Sequence, residues 1–455
     1  MPEWRGTTVQ VCGLWPFIAG TGSPMVGVPL GRHLTTRATV CCDPISWFQP
    51  AGLIPNASLM VVGHPGLGKS SLVRRMVLGL SGFGVSPLVL GDLKGEYRDL
   101  IEALGGAVLE LGPGRGAVNP LDPGAAASAA GRLVGPARAE LLEKTPNRRK
   151  NMLVTLLAMN RGSRPTDHEE AVLHAALGVL DDTFAPGQAT LPDLLAVLAE
   201  GPDRVRQVTL DRGNDRRYRA AVDPLQRSLA ALIEGGLGRT FARRTTTPIR
   251  LDRPLAIDIS AINEADTLLQ AAVLLACWAE GFAALEALQA LTDAGLEPQR
   301  NYFVVLDELW RVLRAGTGMI DRIDELTRLD RQKGVGTVLV THTLRDLLAV
   351  AEADRPKAEG FAGRMGMHAF VGAPPSELHA IREIVALSDK EAAMITSWSS
   401  PPTWAPASTS ASGGPPPPPG LGKVLLKVGG RPGIPVQLDL VAAELELHDT
   451  NRRWR

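Results

Sequence analysis

Leu59-Met60-Val61-Val62-Gly63-His64-Pro65-Gly66-Leu67-Gly68-Lys69-Ser70-Ser71-Leu72-Val73-Arg74-Arg75-Met76-Val77-Leu78 reads as strand, glycine-rich loop, helix. Leu59–Val62 is a short apolar run of the kind that forms a parallel strand buried on both faces. Past the loop, Leu72, Val73, Met76, Val77 and Leu80 share one helical stripe. Between them, Gly63 to Ser70 fits G-x-x-x-x-G-K-[ST] at every defined position. Glycines let the backbone turn so that successive N–H groups converge on phosphate oxygens, and the helix adds its positive N-terminal end. The stretch Gly63, His64, Pro65, Gly66, Leu67, Gly68, Lys69, Ser70 and Ser71 is therefore expected to cradle ATP. Lys69 is expected to reach the β- and γ-phosphates, and Ser70 to bind Mg²⁺ through its hydroxyl.

A second stretch supplies the acids such a site needs. In Asn301-Tyr302-Phe303-Val304-Val305-Leu306-Asp307-Glu308, Phe303–Leu306 is a buried strand ending in two carboxylates. Asp307 is expected to hold Mg²⁺, and Glu308 to polarise the attacking water. The next strand, Gly336–His342, ends in Thr341-His342, where His342 is placed to sense the γ-phosphate or orient water. Arg328 and Arg331, with Lys333, precede that strand. One of them could reach a neighbouring subunit's γ-phosphate, though cations at a helix end also suit an exposed surface. Arg364 is a further candidate.

The bulk numbers bound the rest. At 455 residues the chain can bury a sizeable core, expected in two or three domains. Its formal net charge is zero, so no global basic field advertises nucleic-acid binding. Cys12, Cys41, Cys42 and Cys277 have no metal spacing and read as reduced cysteines. No signal peptide is expected, and the longest apolar run, Ala271–Ala279, is far below the roughly 20 residues that span a bilayer. A cytoplasmic protein follows, with membrane association only through partners.

Alternating strands and helices indicate an α/β core in three layers around a mainly parallel sheet. Residues 1–58 form a small β-rich segment, with strands at Thr8–Leu14 and Arg37–Cys42 and a turn at Gly27–Gly31. Trp47 and Phe48 either line the adenine site or pack under the sheet. The core is expected over 59–123 and 246–398, closing on a last strand at Ala369–Gly372. Leu88–Leu90 and Ala107–Leu111 are strands, the first running into Asp92. Residues 124–245 are an all-helical insertion, locally basic at Arg148–Lys150 and Arg212–Arg219. Residues 399–421 are a proline-rich linker, followed by a hairpin and tail over 422–455.

Several loose motifs, in this order, carry a resemblance. Gly27–Gly31 stands upstream of the phosphate loop. Asp92-Leu93-Lys94-Gly95-Glu96-Tyr97 and Asn119-Pro120-Leu121-Asp122 follow it. A helical insertion then precedes Asp307-Glu308, and Arg331-Gln332-Lys333-Gly334 comes after. Over roughly 20–400 the chain resembles the HerA–FtsK superfamily of motor ATPases, most of all the TraC-like conjugation and type IV secretion ATPases. The resemblance implies a RecA-like P-loop core, a homo-hexamer, and hydrolysis coupled to DNA transfer or secretion with membrane-embedded partners. His342 stands where that family usually carries glutamine, and the large N-terminal domain of the family's longer relatives is not expected, since the phosphate loop begins near residue 60. A double-stranded DNA pump and an ATP-binding assembly scaffold are the competing readings.

Overall fold

Leu59, Met60, Val61 and Val62 are each at most 3% exposed, as an uninterrupted apolar strand requires. In a computed structural model, the described residues are 25–314, 319–327, 334–350, 352–399 and 418–447. Their strands are β1 (Pro29–His33), β2 (Thr39–Cys41), β3 (Ser58–Gly63), β4 (Ser86–Asp92), β5 (Ala107–Glu110), β6 (Leu255–Asp258), β7 (Tyr302–Leu306), β8 (Val335–Thr341), β9 (Met367–Val371), β10 (Lys423–Lys427) and β11 (Ile434–Leu438). All belong to one sheet, in the order β2-β1-β11-β10-β9-β3-β8-β7-β4-β6-β5. From β9 to β5 every pair is parallel. From β2 to β9 every pair is antiparallel.

Side chains of a strand alternate between faces, and each face has its own apolar layer. Met60 and Val62 join Leu90, Val304, Leu306 and Leu339 beneath the long helix Thr267–Asp293. Leu59 and Val61 join Val89, Phe303, Val305 and Val340, together with Leu72, Val73 and Met76 of the helix Lys69–Gly82. This is the expected three-layer α/β arrangement. Thr267–Asp293 is long and apolar enough to cross a membrane by length and composition, which the short run Ala271–Ala279 did not reveal. It is a core helix here, with 83% of its most apolar stretch buried inside the protein.

Between β5 and β6 the chain is helical, without a strand. Thr166 caps Asp167–Thr183 in a capping box with Glu169, as its sequence suggests. One of the helices between β5 and β6, Gly135–Arg161, runs through Pro146. Proline removes one backbone donor there. Lys144 and Arg148, on either side of it, both pair with Glu286 of Thr267–Asp293, at 3.1 and 2.6 Å. The interior proline is thus pinned to the core helix.

Two local readings are revised. Pro29–Gly31, expected within a turn, belongs to β1, because β11 pairs with it from the far end of the chain. The sheet does not close at β9: β10 pairs with β9, and β11 carries it on to β1 and β2. Of the two readings of Trp47, packing under the sheet is the one found: it is 2% exposed and donates from Nε1 to the carbonyls of Val26 and Cys41. The strand expected at Thr8–Leu14, residues 400–417 of the linker, and 448–455 of the tail lie outside the described residues.

Candidate functional site

The sheet order brings the site together. The C-terminal ends of β3, β8, β7 and β4 stand side by side on one edge. They deliver, in that order, the glycine-rich loop, His342, the Asp307-Glu308 pair and Asp92.

Gly63 ends β3 where a Cβ would lie 2.2 Å from the Val371 carbonyl oxygen, so only glycine lets β3 and β9 stay paired there. Gly66 and Gly68 hold φ of 79° and 107°, a left-handed turn that side chains disfavour. Gly68 is the N-cap of Lys69–Gly82 and offers no side-chain cap, which leaves the first-turn N–H groups for an anion. His64, Pro65 and Gly66 are exposed, Leu67 is buried, and Ser70 and Ser71 are half-buried.

Lys69 is 8% exposed. Its Nζ donates to the Gly63 carbonyl at 2.7 Å and lies 3.0 Å from His342 Nδ1. Burial pulls its ammonium down to about 8, against the pull of Asp307 and Glu308. The other His342 nitrogen, Nε2, is 3.4 Å from Glu308 Oε2. Lys69, His342 and Glu308 therefore form a continuous polar chain from the phosphate loop to the acid pair.

The two acids differ in character. Asp307 is half-buried, and desolvation of its carboxylate together with the neighbouring Glu308 charge pushes it up to about 7. It accepts from the Glu308 N–H at 2.8 Å and from the Tyr97 hydroxyl at 3.2 Å. Burial would also raise Glu308, but hydrogen bonds from His342 and Lys94 outweigh it and hold that carboxyl well below the usual range. Lys94 Nζ donates to Glu308 Oε1 at 2.7 Å, and Trp310 Nε1 donates to Oε2. Glu308 itself sits at φ 55°, a backbone conformation rare for a non-glycine residue. Asp92 organises the loop that carries Lys94 and Tyr97. Its carboxylate accepts from the N–H groups of Lys94, Glu96 and Tyr97, while burial raises it to about 6.

Among the described residues no cluster of three or more His, Cys, Asp or Glu could hold a metal by itself. Ser70 and Asp307 are hard oxygen donors of the kind Mg²⁺ takes alongside phosphate oxygens and water. The desolvated, incompletely compensated Asp307 carboxylate is the stronger reason that a cation fits.

Of the sequence candidates, the loop residues, Lys69, His342, Asp307 and Glu308 meet on this edge. Arg328 and Arg331 lie outside the described residues. Arg364 is elsewhere: it pairs with Asp324 at 2.6 Å, and its carbonyl accepts from Asn56, at the opposite end of β3. Lys94, Tyr97 and Trp310 were not singled out as site residues. Lys94 and Tyr97 stand in a recognised motif, but their reach to the acids depends on β4 lying beside β7, which spacing along the chain does not encode.

The sequence matches no protein-family profile and no curated protein. Solved structures do match. VirB4 of Thermoanaerobacter pseudethanolicus superposes with a TM-score of 0.66 at 18% identity, covering 93% of this chain and 99% of that one. The fold is the RecA-like P-loop ATPase fold. The plasmid coupling protein TrwB with a non-hydrolysable ATP analogue gives 0.52 at 14% identity, over 86% of this chain and 87% of that one. TrwB with ADP and Mg²⁺ gives 0.50 at 13% identity, over 85% and 86%. These neighbours bear the same architecture that the order of motifs implied.

Proposed function

We propose that the protein is a motor ATPase that hydrolyses ATP to energise conjugative DNA transfer or type IV secretion, working as a hexameric ring. The observation that carries this reading is the unbroken Lys69–His342–Glu308 chain beside Asp307, at the end of a glycine-rich loop. Fold neighbours solved with ADP and Mg²⁺ and with an ATP analogue support the choice of nucleotide.

The chemistry follows from the residues. Loop N–H groups and the start of Lys69–Gly82 bind the phosphates. Lys69, freed from the Gly63 carbonyl, neutralises charge that develops on the transferred phosphoryl group. Glu308 orients a water and takes its proton. His342, lying between Lys69 and Glu308, relays the state of the phosphate site to the base. Ser70 and Asp307 would hold Mg²⁺, which supplies charge neutralisation at the β- and γ-oxygens. An arginine at 328 or 331 acting across a subunit boundary belongs to the same proposal. So does a cytoplasmic location on the inner face of the membrane, reached through membrane-embedded secretion or conjugation partners.

Lys69→Ala is expected to abolish nucleotide binding or turnover in the purified protein; unchanged turnover would remove the basis of the reading. A double-stranded DNA pump is the second reading, favoured by the exposed Arg212, Arg216, Arg217 and Arg219 on the helical insertion. It requires turnover that rises with DNA and falls steeply with salt. A scaffold with incidental hydrolysis would assemble with ATP yet turn it over very slowly.

A further inference from the structure

Glu308 is engaged at both of its carboxylate oxygens. Oε1 is held by Lys94, and Oε2 faces Trp310 and His342, with Arg311 Nε 3.9 Å away. A carboxylate oxygen that accepts from an ammonium is a weaker base and is less free to turn toward a water, so the base strengthens when one of these hydrogen-bond partners lets go. The three differ in how easily they can. The Trp310 indole is held in place by the Arg311 and Arg314 guanidinium groups, 4.7 and 5.0 Å from its ring centre. His342 is tied at its other nitrogen to Lys69. Lys94 alone of the three has a side chain about half exposed, at 49%, on a flexible stem that can swing into water at little cost.

The loop that carries Lys94 is rigid where it needs to be. Asp92 fixes its backbone through three N–H groups, and Tyr97 anchors its far end to Asp307. The Lys94 ammonium is thus suspended from a firm base over the acid pair, close enough to Lys69 for the two cations to repel. A polyphosphate bound at the loop would bring several negative charges into that space and compete with Glu308 for the lysine.

We propose that Lys94 is a positioning residue that restrains Glu308 while the phosphate site is empty and releases it when a nucleoside triphosphate binds. The inference rests on the ATPase reading. It goes beyond that reading by assigning a lysine on β4's loop the task of preventing hydrolysis before the substrate is fully seated.

Two measurements on the full chain test it. In steady-state ATP turnover, Lys94→Met is expected to raise kcat about three- to tenfold with KM unchanged, the size expected from losing one charge-assisted contact. Lys94→Arg should bring the rate back toward wild type. A gain in rate is not what simple structural damage produces. Lys94→Met with lower kcat, or with weakened binding of a fluorescent ATP analogue, would overturn the proposal. The second measurement is a thermal-melt double-mutant cycle on Lys94→Met and Glu308→Gln. Without nucleotide the two effects should be non-additive; with a saturating non-hydrolysable ATP analogue they should become additive. Additivity in both conditions, or coupling that persists with the analogue, would overturn it. If wild type and Glu308→Gln show equal turnover, the ATPase reading fails on its own, whereas the melts report on the restraint independently.

Discussion

Neighbouring carboxylates in one buried site cannot both ionise freely, and the residues around Asp307 and Glu308 decide which does. Glu308 collects the cations and stays charged, while Asp307, with one hydroxyl and one amide, is driven up to about 7. A divalent cation would restore the Asp307 charge. Elsewhere burial acts on a cation. His368 lies in β9 with Nε2 against the Ala362 carbonyl at 3.1 Å, and burial lowers its ring from the ordinary 6.5 to about 4. Between those values the unfolded chain holds the proton and the folded chain does not. Stability therefore falls as the pH drops from about 6.5 toward 4, by up to about 3 kcal/mol from this residue. His368→Gln keeps a donor for Ala362 and cannot titrate. Its melting temperature should fall less than wild type between pH 6.5 and 4.5, and an identical acid slope would show that His368 contributes nothing.

At the scale of the element, the phosphate loop was legible because its requirements are local. Gly63, Gly66 and Gly68 serve a close approach and two left-handed turns, and Lys69 and Ser70 follow at fixed offsets. Gly63 makes the sharpest case. Gly63→Ala puts a methyl into the Val371 carbonyl, which is backbone and cannot swing aside. We expect a loss of at least about 2 kcal/mol and weakened nucleotide binding, read by denaturant melts and analogue titration. A variant as stable as wild type would mean that β3 and β9 separate there at no cost. Pro29–Gly31 shows the opposite situation. Pro29 and Gly31, with Gly27 just before them, read as a turn, and locally nothing contradicts that. The stretch becomes β1 because Leu438, Gln437 and Val436 pair with Gly31, Arg32 and His33 from some 400 residues away. Lys94 was illegible for the same reason: its contact with Glu308 is a property of strand order.

Across the whole molecule, both ends of the described chain complete a single sheet. The parallel strands bear the chemistry on one edge, and the antiparallel strands β1, β2, β10 and β11 extend the sheet beyond β9. The phosphate loop touches this extension directly, since the Leu67 carbonyl accepts from the Gly422 N–H at 2.9 Å. On the other side, the core helix Thr267–Asp293 links the sheet to the helical insertion through Glu286. The three-layer core was foreseeable from alternating apolar strands and helices. The place of the C-terminal hairpin in the sheet was not, because a proline-rich stretch precedes it and hides the connection.

The central claim is that Glu308 serves as the base of an ATPase. The most direct test is steady-state ATP turnover by the purified full chain, wild type against Glu308→Gln, with and without double-stranded DNA, alongside binding of a fluorescent ATP analogue. The account predicts turnover in the wild type, a loss of about a hundredfold or more in Glu308→Gln, and retained analogue binding. Stimulation by DNA would favour the pump, and indifference to DNA a secretion motor awaiting its protein partner. Equal turnover in the two proteins would contradict the account.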